Sequence, residues 1–344
     1  MRNFILDLPY RPLRFANRLM ARHFRVRLIR DAALHPWQIT ELPERSYVEG
    51  TLPDGARHYL RPDNPRLQEL KAAYSSFDQR ATRPTETWVE GIVHDEELLY
   101  FRGQNPYVWQ MHGLGAAEFR YALSYYALKC SPAADLLERL QEDGLFGVHT
   151  VEVDGRPVSR DLLDSVREID FIRTHVGLES GMRVLDIGAG YGRLVQRLHE
   201  AVGDRVRAFG TDAFAASTFI SEYHLQFRGL PKGSVIPLTE VESFLGKDRI
   251  DLAINIHSFS ECRAEAIDWW VSKLAEHKVA HLLVIPNHSD DSSGACLTNK
   301  RENMDEIFAR HGYTLQAREP RFHDPIVSRN GIDPSNLSLF RLKK

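Results

Sequence analysis

The second half of the chain alternates between short apolar segments and longer amphipathic ones. Short apolar segments separated by helical ones are typical of strands buried on both faces of a parallel sheet. We predict seven strands, at 183–188, 205–211, 234–238, 250–256, 281–286, 313–319 and 337–342. We predict helices between them at 191–202, 213–226, 263–277 and 301–311. The pattern therefore predicts an α/β fold with a doubly wound sheet.

A further amphipathic helix is predicted just before the first of these strands, in the stretch VSRDLLDSVREIDFIRTHV (158–176). Its apolar residues recur every three or four positions, which is one face of an α-helix. Ser159 is the expected N-cap, because its hydroxyl can accept a hydrogen bond from a free backbone N–H of the first turn.

The N-terminal region has a less regular pattern. It contains strand-like patches at 87–93 and 97–103, followed by two helix-like stretches, LGAAEFRYALSYYALKC and AADLLERLQEDG. A turn at 154–155, Asp-Gly, closes this region. We therefore divide the chain into a mixed α+β accessory region, 1–155, and an α/β domain, 156–344.

Net charge, cysteine content and the length of apolar runs limit the classes of function that fit this sequence. The 344 residues carry 44 Lys and Arg against 47 Asp and Glu, a formal charge of −3, so no overall basic field indicates a nucleic-acid partner. The three cysteines form no CxxC pair, which favours a reducing, cytoplasmic setting. No apolar run reaches the ~20 residues that cross a bilayer.

Residues 1–30 depart from this balance, with eight arginines and one acidic residue among apolar residues at helical spacing. A basic amphipathic helix of this kind can lie on an anionic membrane surface, which would make the protein peripheral to the membrane. More often such a helix packs on its own domain, with the arginine stems covering apolar surface.

A glycine-rich turn follows the first predicted strand of the α/β domain, in VLDIGAGYGRL (184–194). A dinucleotide site calls for G-x-G-x-x-G, and a P-loop for G-K-[ST]. Here the third glycine comes one residue early, and no lysine follows. Asp186, two residues before the first glycine, would repel a pyrophosphate but suits a ligand that carries an ammonium or sulfonium. We therefore expect a cationic ligand on Gly188, Ala189, Gly190 and Gly192.

The next predicted strand ends at Asp212, also acidic. A carboxylate only accepts hydrogen bonds, and both hydroxyls of an unphosphorylated ribose are donors. A ligand with a free ribose and a cationic tail is S-adenosylmethionine, which we predict as the cofactor. Asn255, near the end of the neighbouring strand 250–256, is predicted to line the same site.

These motifs resemble those of the class I SAM-dependent methyltransferases. That resemblance implies a Rossmann-like, mostly parallel seven-stranded sheet with a reversed strand near the C-terminus. Four stretches, SRDLLDS (159–165), LDIGAGYGRL (185–194), INIHSFSE (254–261) and NLSLF (336–340), are similar to those of the bacterial sugar O-methyltransferases. This narrower resemblance covers roughly 120–344 and implies a sugar or glycoconjugate hydroxyl as the methyl acceptor, in a group often tied to surface polysaccharides.

Methylation of a hydroxyl benefits from a base that takes its proton. His257 follows the strand that would lie beside the sulfonium, and it is the predicted base. Glu261, four residues later, would share a helical face with His257 and orient its imidazole. The alternative is that His257 caps a helix or bonds the loop.

A rival base and a metal site are both conceivable after the next strand. His288 is the rival base. Asp290 and Asp291 follow it, and two carboxylates with water can hold Mg²⁺. Adjacent aspartates in a loop with serines and glycine more often form a solvated turn, so no metal is predicted.

The accessory region is expected to shape the acceptor site, with aromatic faces for a sugar ring from Tyr107, Trp109, Tyr125 and Tyr126. Trp269 and Trp270 are predicted to pack in the core instead. Two other functions stay open. One is methylation of a non-sugar small molecule or an amine, and the other is a non-catalytic role in polysaccharide assembly.

Overall fold

The computed structural model describes residues 45–82, 88, 91–111, 117–290 and 292–343, together with 15–16, 19–20 and 23. Most of the basic segment 1–30 therefore lies outside the described residues, and so does Asp291. The described strands are β1 (Val151–Val153), β2 (Arg156–Val158), β3 (Met182–Ile187), β4 (Val206–Thr211), β5 (Leu252–Ile256), β6 (His281–Ile285), β7 (His288–Ser289), β8 (Cys296–Leu297), β9 (Tyr313–Pro320) and β10 (Asn336–Leu342).

The central sheet has the strand order β4-β3-β5-β6-β10-β9. Neighbours from β4 to β6 are parallel, whereas β10 is antiparallel to both β6 and β9. The predicted α/β class and mostly parallel sheet are thus confirmed, and so is the reversed strand near the C-terminus. From β3 the chain first adds β4 on one side and later β5 on the other, so the strand order reverses between β3 and β5.

The described helices are α1 (Ala56–Tyr59), α2 (Pro65–Ser75), α3 (Gln79–Thr82), α4 (Asp95–Leu99), α5 (Ala117–Lys129), α6 (Ala134–Arg139), α7 (Arg160–His175), α8 (Arg193–Val202), α9 (Ala215–Phe227), α10 (Val241–Lys247), α11 (Ser258–Glu261), α12 (Ala264–Glu276), α13 (Met304–Arg310) and α14 (Pro325–Asn330). Successive strand residues point to opposite faces of the sheet. Val184 packs with α7 and α8, whereas Leu185 packs with α9 and α12. Both faces are therefore covered. Trp269 and Trp270 are buried, as predicted.

The sheet has six strands in the described residues, so the prediction of seven was wrong. In the described residues the stretch 234–238 pairs with the sheet through a single bridge, between Val235 and Gly210, and 3₁₀ turns flank it. Pro237 has no N–H for a ladder, and the N–H of Leu238 donates to the Tyr74 hydroxyl at 2.8 Å instead. The missing N–H of Pro237 and the bond from Leu238 prevent this stretch from extending into a seventh strand.

The predicted helix before β3 is confirmed as α7, with Ser159 as its N-cap accepting from the N–H of Leu162 at 3.1 Å. The predicted Asp154-Gly155 turn is confirmed too, as the tip of the β1–β2 hairpin. Both residues have positive φ, 52° and 75°, which suits a two-residue hairpin loop.

The strand-like patch at 97–103 is not a strand, because its first residues belong to α4. His94 and Glu97 form a capping box there, and this local bonding favours the helix. In the described part of the chain, no helix is long and apolar enough to span a membrane.

Candidate active site

The glycine turn follows β3 at the point where the strand order reverses, which is where open α/β sheets bind ligands. Gly188, Gly190 and Gly192 have φ values of 73°, 58° and 84°, in the left-handed region. A Cβ at Gly188 would lie only 2.1 Å from Oγ of Ser258. The backbone N–H groups of Gly188 and Ala189 donate to the Thr211 carbonyl at 2.9 and 3.1 Å. The turn is therefore fixed against β4 and needs its glycines.

Asp212 follows β4 and is bonded to this turn. One carboxylate oxygen accepts from the N–H of Gly190 at 3.0 Å, and the other accepts from the N–H of Phe214 at 2.8 Å. Burial raises the pKa of Asp212 to about 6, although these two bonds oppose the rise. Each carboxylate oxygen can accept a further bond, so Asp212 can receive hydroxyl donors beside the turn.

Asp186, near the end of β3, is buried with only 5% exposure. Among the described residues its carboxylate has no hydrogen-bond or ion-pair partner. Burial raises its pKa to about 8, and the nearby carboxylates of Glu168 and Asp212 add to the rise. Arg193 opposes this effect, but its guanidinium is bonded to Glu168 at 2.7 Å. The site thus has an uncompensated acidic group.

Asn255 joins the ends of β3 and β5 and is fully buried. Its amide donates to the Ile187 carbonyl at 2.9 Å and to Oγ of Ser258 at 2.6 Å. Its side-chain oxygen accepts from the N–H of Phe259 at 2.8 Å. These bonds set the position of the turn, so whether Asn255 also contacts a ligand stays a prediction.

His257 follows β5 with a positive φ of 65°, which is uncommon outside glycine. Its N–H donates to the Ile285 carbonyl at 2.7 Å. Its Nδ1 is buried and unbonded among the described residues. Its Nε2 lies 3.6 Å from Oδ2 of Asp333. Burial is the main cause that lowers the pKa of His257 to about 4, so the imidazole is neutral at pH 7 and can accept a proton.

Glu261 does not orient His257, so the pairing predicted from helical spacing was wrong. His257 precedes α11 in a non-helical conformation, and the i, i+4 relation does not apply to it. Glu261 instead accepts from the indole N–H of Trp88. Burial raises the pKa of Glu261, and its charge contributes to the raised pKa of Asp212. The carboxylate beside His257 is that of Asp333.

His288 begins β7, and burial lowers its pKa. Asp290 accepts four hydrogen bonds, from the backbone N–H and hydroxyl groups of Ser292 and Ser293, at 2.6–3.1 Å. This is the bonding of a serine-rich turn. No group of three or more His, Cys, Asp or Glu side chains could hold a metal ion in the described ranges.

A charged cluster that the sequence analysis missed lies beside His257. It joins the polar side of α7 to the segments before β10 and consists of Arg160, Asp164, Glu168, Arg193, Arg321 and Asp333. Charged positions at helical spacing usually face solvent, so the pattern of α7 alone predicts exposure. The sequence offers one clue. Helix α7 carries a densely charged stripe beside its apolar stripe, and it directly precedes the first strand of the central sheet.

A second buried network joins the accessory region to the glycine turn. Arg102 donates two hydrogen bonds to Glu142, at 2.8 and 2.9 Å, and one to Asp161 at 3.3 Å. Asp161 also accepts from the hydroxyl of Tyr191, which lies within the glycine turn. The side chains of Arg102, Glu142 and Asp161 are at most 2% exposed, so the charges at this junction are paired with one another and shielded from solvent.

The aromatic residues of the accessory region divide into two pairs. Tyr107 lies against the turn, with its ring 3.8 Å from the position of a Cβ at Gly190, and Trp109 accepts through its carbonyl from Arg160 at 2.5 Å. Tyr125 is buried in the core, and Tyr126 is exposed and donates to Asp154 in the hairpin. Tyr107 and Trp109 are therefore near the site, whereas Tyr125 and Tyr126 serve other contacts.

No family model matches the chain, and no curated protein does. Solved structures with similar topology include the magnesium protoporphyrin IX methyltransferase of Synechocystis PCC 6803 with bound SAM (14% identity, TM-score 0.38, 63% of this chain and 94% of that chain). A SAM-dependent methyltransferase from Aquifex aeolicus shares 14% identity at TM-score 0.34, over 50% of this chain and 87% of that one. The [4+2]-cyclase SpnF shares 15% identity at TM-score 0.39, over 63% and 94%. Similarity at this level leaves the function to be argued from the side chains of the site.

Proposed function

We propose that this chain is a SAM-dependent methyltransferase that methylates a hydroxyl group, with a sugar or glycoconjugate as the acceptor. The observation that carries the proposal is the buried and unpaired carboxylate of Asp186 beside a glycine backbone. An isolated buried carboxylate is costly, and a cationic ligand would remove that cost. A phosphate chain in the same place would be repelled.

The residues present fit the cofactor. Asp186 would face its positive charge, and Asp212 would accept from the ribose hydroxyls at the end of the next strand. Gly188 and Gly190 leave the turn without side chains, so a ligand can approach the backbone closely. Bound S-adenosylmethionine would supply an activated methyl group on a positively charged sulfur.

His257 is proposed to take the proton of the acceptor hydroxyl. The imidazole is neutral because burial depresses its pKa, so a nitrogen lone pair is available at pH 7. Proton transfer to a positioned side chain typically contributes about 10²–10⁴ to the rate. His288 remains the rival base.

The accessory region is proposed to shape the acceptor side of the site, with the division near 155 kept. Contacts support this arrangement, because Trp88 donates to Glu261 and Arg160 donates to the Trp109 carbonyl. The choice of a sugar hydroxyl rests on the four stretches similar to the sugar O-methyltransferases.

The test is turnover with SAM and a panel of acceptors, followed as release of S-adenosylhomocysteine. The panel contains free sugars, nucleotide sugars and amines. We expect a sugar hydroxyl to be methylated and His257→Ala to lower kcat by about 10²–10⁴. Near-normal turnover by a folded His257→Ala variant would show that His257 is not the base. A loss of turnover confined to His288→Ala would assign the role of base to His288. Turnover with an amine that neither substitution affects would instead identify an amine as the acceptor.

A further inference from the structure

The imidazole of His257 has two different environments at its two nitrogens. Nδ1 is buried and lacks a partner among the described residues, whereas Nε2 lies 3.6 Å from a carboxylate oxygen of Asp333. In a neutral imidazole one nitrogen carries the proton and the other carries the lone pair, and a neighbouring acceptor selects which is which.

Asp333 is itself firmly held. It is 4% exposed, its Oδ2 accepts from Arg160 at 3.2 Å, and the same oxygen forms an ion pair with Arg321 at 3.2 Å. Its Oδ1 accepts from the N–H of Ser335 at 2.8 Å. The nearby arginines keep its pKa well below the usual range, although burial acts in the opposite direction. Asp333 therefore presents a fixed negative charge to Nε2.

We propose that Asp333 is the positioning residue of His257, holding the proton on Nε2 so that Nδ1 is the proton acceptor. This inference deepens the proposed function and rests on it. The positive φ of His257 supports such a role, since strained conformations persist where the surroundings fix a side chain for a task. Asp333 acts only through His257 and needs no contact with the acceptor.

The chain offers a matched control in Asp164. Its carboxylate accepts from the same two arginines, from Arg160 at 3.1 Å and from Arg321 at 2.8 Å. In the described residues no hydrogen bond or ion pair joins Asp164 to His257. Asp333→Asn and Asp164→Asn thus each change a carboxyl group that contacts the same pair of arginines, and only the first of these groups lies beside the imidazole.

The first test is the tautomer of His257 in the full-length wild-type protein, read by nitrogen NMR after selective labelling of histidine. The signal is assigned by its loss in His257→Ala. We expect the proton on Nε2. A proton on Nδ1 would overturn the inference, and this measurement requires neither an acceptor nor a folded Asp333 variant.

The second test compares kcat and the KM for SAM in the two variants. In Asp333→Asn the new amide can donate to Nε2, so we expect the proton to move to Nδ1 and kcat to fall at least about 10²-fold, with little change in the KM for SAM. Asp164→Asn should lose less and keep the wild-type tautomer, and Asp333→Glu should recover part of the rate. Equal losses in the two asparagine variants would overturn the positioning role. The expected tautomer in a protein that transfers no methyl group would instead refute the proposed function.

Discussion

Replacing Asp186 with asparagine should stabilise the protein in the absence of cofactor and weaken its binding of SAM. A carboxyl group whose pKa rises from 3.8 to about 8 on folding favours the protonated state. Its stabilising contribution is complete below pH 3.8 and is lost as the pH rises through about 8. The loss is about 1.4 kcal/mol per pH unit, hence about 4 kcal/mol at pH 7.

Asparagine resembles the protonated carboxyl group but cannot ionise, so the variant does not lose this stability as the pH rises. Its amide would still be buried without a partner, at a cost of about 1–3 kcal/mol. We therefore expect Asp186→Asn to raise the free energy of unfolding at pH 7 by about 1–3 kcal/mol without cofactor. The wild-type free energy should fall between pH 5 and pH 8 and that of the variant much less, as measured by urea denaturation across this range.

Glu142→Gln is the matched comparison, because it makes the same chemical change at a buried carboxylate that is fully paired. The pKa of Glu142 is lowered, since Arg102 and Arg197 outweigh the effect of burial. Breaking this pairing should cost about 3–5 kcal/mol. The two variants should thus differ in sign. The reasoning is refuted if Asp186→Asn is less stable than the wild type at pH 7, or if both proteins have the same pH slope.

Two further predictions follow from the same site. SAM affinity should rise up to tenfold per pH unit between pH 6 and pH 8 and then level off, because a cationic ligand requires the ionised form of Asp186, whose pKa is about 8. Calorimetry in buffers of different ionisation enthalpy should show that a proton is released on binding. An affinity that does not depend on pH would contradict this prediction. Gly188→Ala should cost about 2–5 kcal/mol, from a left-handed alanine plus collision with Ser258. Gly144→Ala, with the same φ of 73° and nothing within 4 Å, should cost only about 1–2 kcal/mol in thermal denaturation, and equal costs would show that the collision is relieved.

The regular part of the fold could be predicted because its patterns are local. The strands of the parallel core have continuous apolar runs, and α7 has a Ser159 cap and a helical period that the structure confirms. The stretch 234–238 has the composition of a strand, but Pro237 and the bond from Leu238 to Tyr74 prevent it from extending. The partner in that bond comes from α2, far away in sequence, so no local pattern could indicate it.

The site was predictable where glycine spacing and strand ends define it, and less so where tertiary contacts do. The positions of Asp186 and Asp212 follow from the ends of β3 and β4. The carboxylate beside His257 was misassigned to Glu261, because helical spacing assumes a regular helix and His257 has a positive φ. Asp333 comes from a loop 76 residues later and is brought there by the antiparallel return of β10.

The measurement that tests the central claim most directly is isothermal titration of the purified full-length protein with SAM, NAD and ATP in parallel. Two carboxylates around a glycine backbone predict saturable 1:1 binding of SAM, strongly weakened in Asp186→Asn, and no binding of NAD or ATP. Saturable binding of NAD or ATP without binding of SAM would contradict the account.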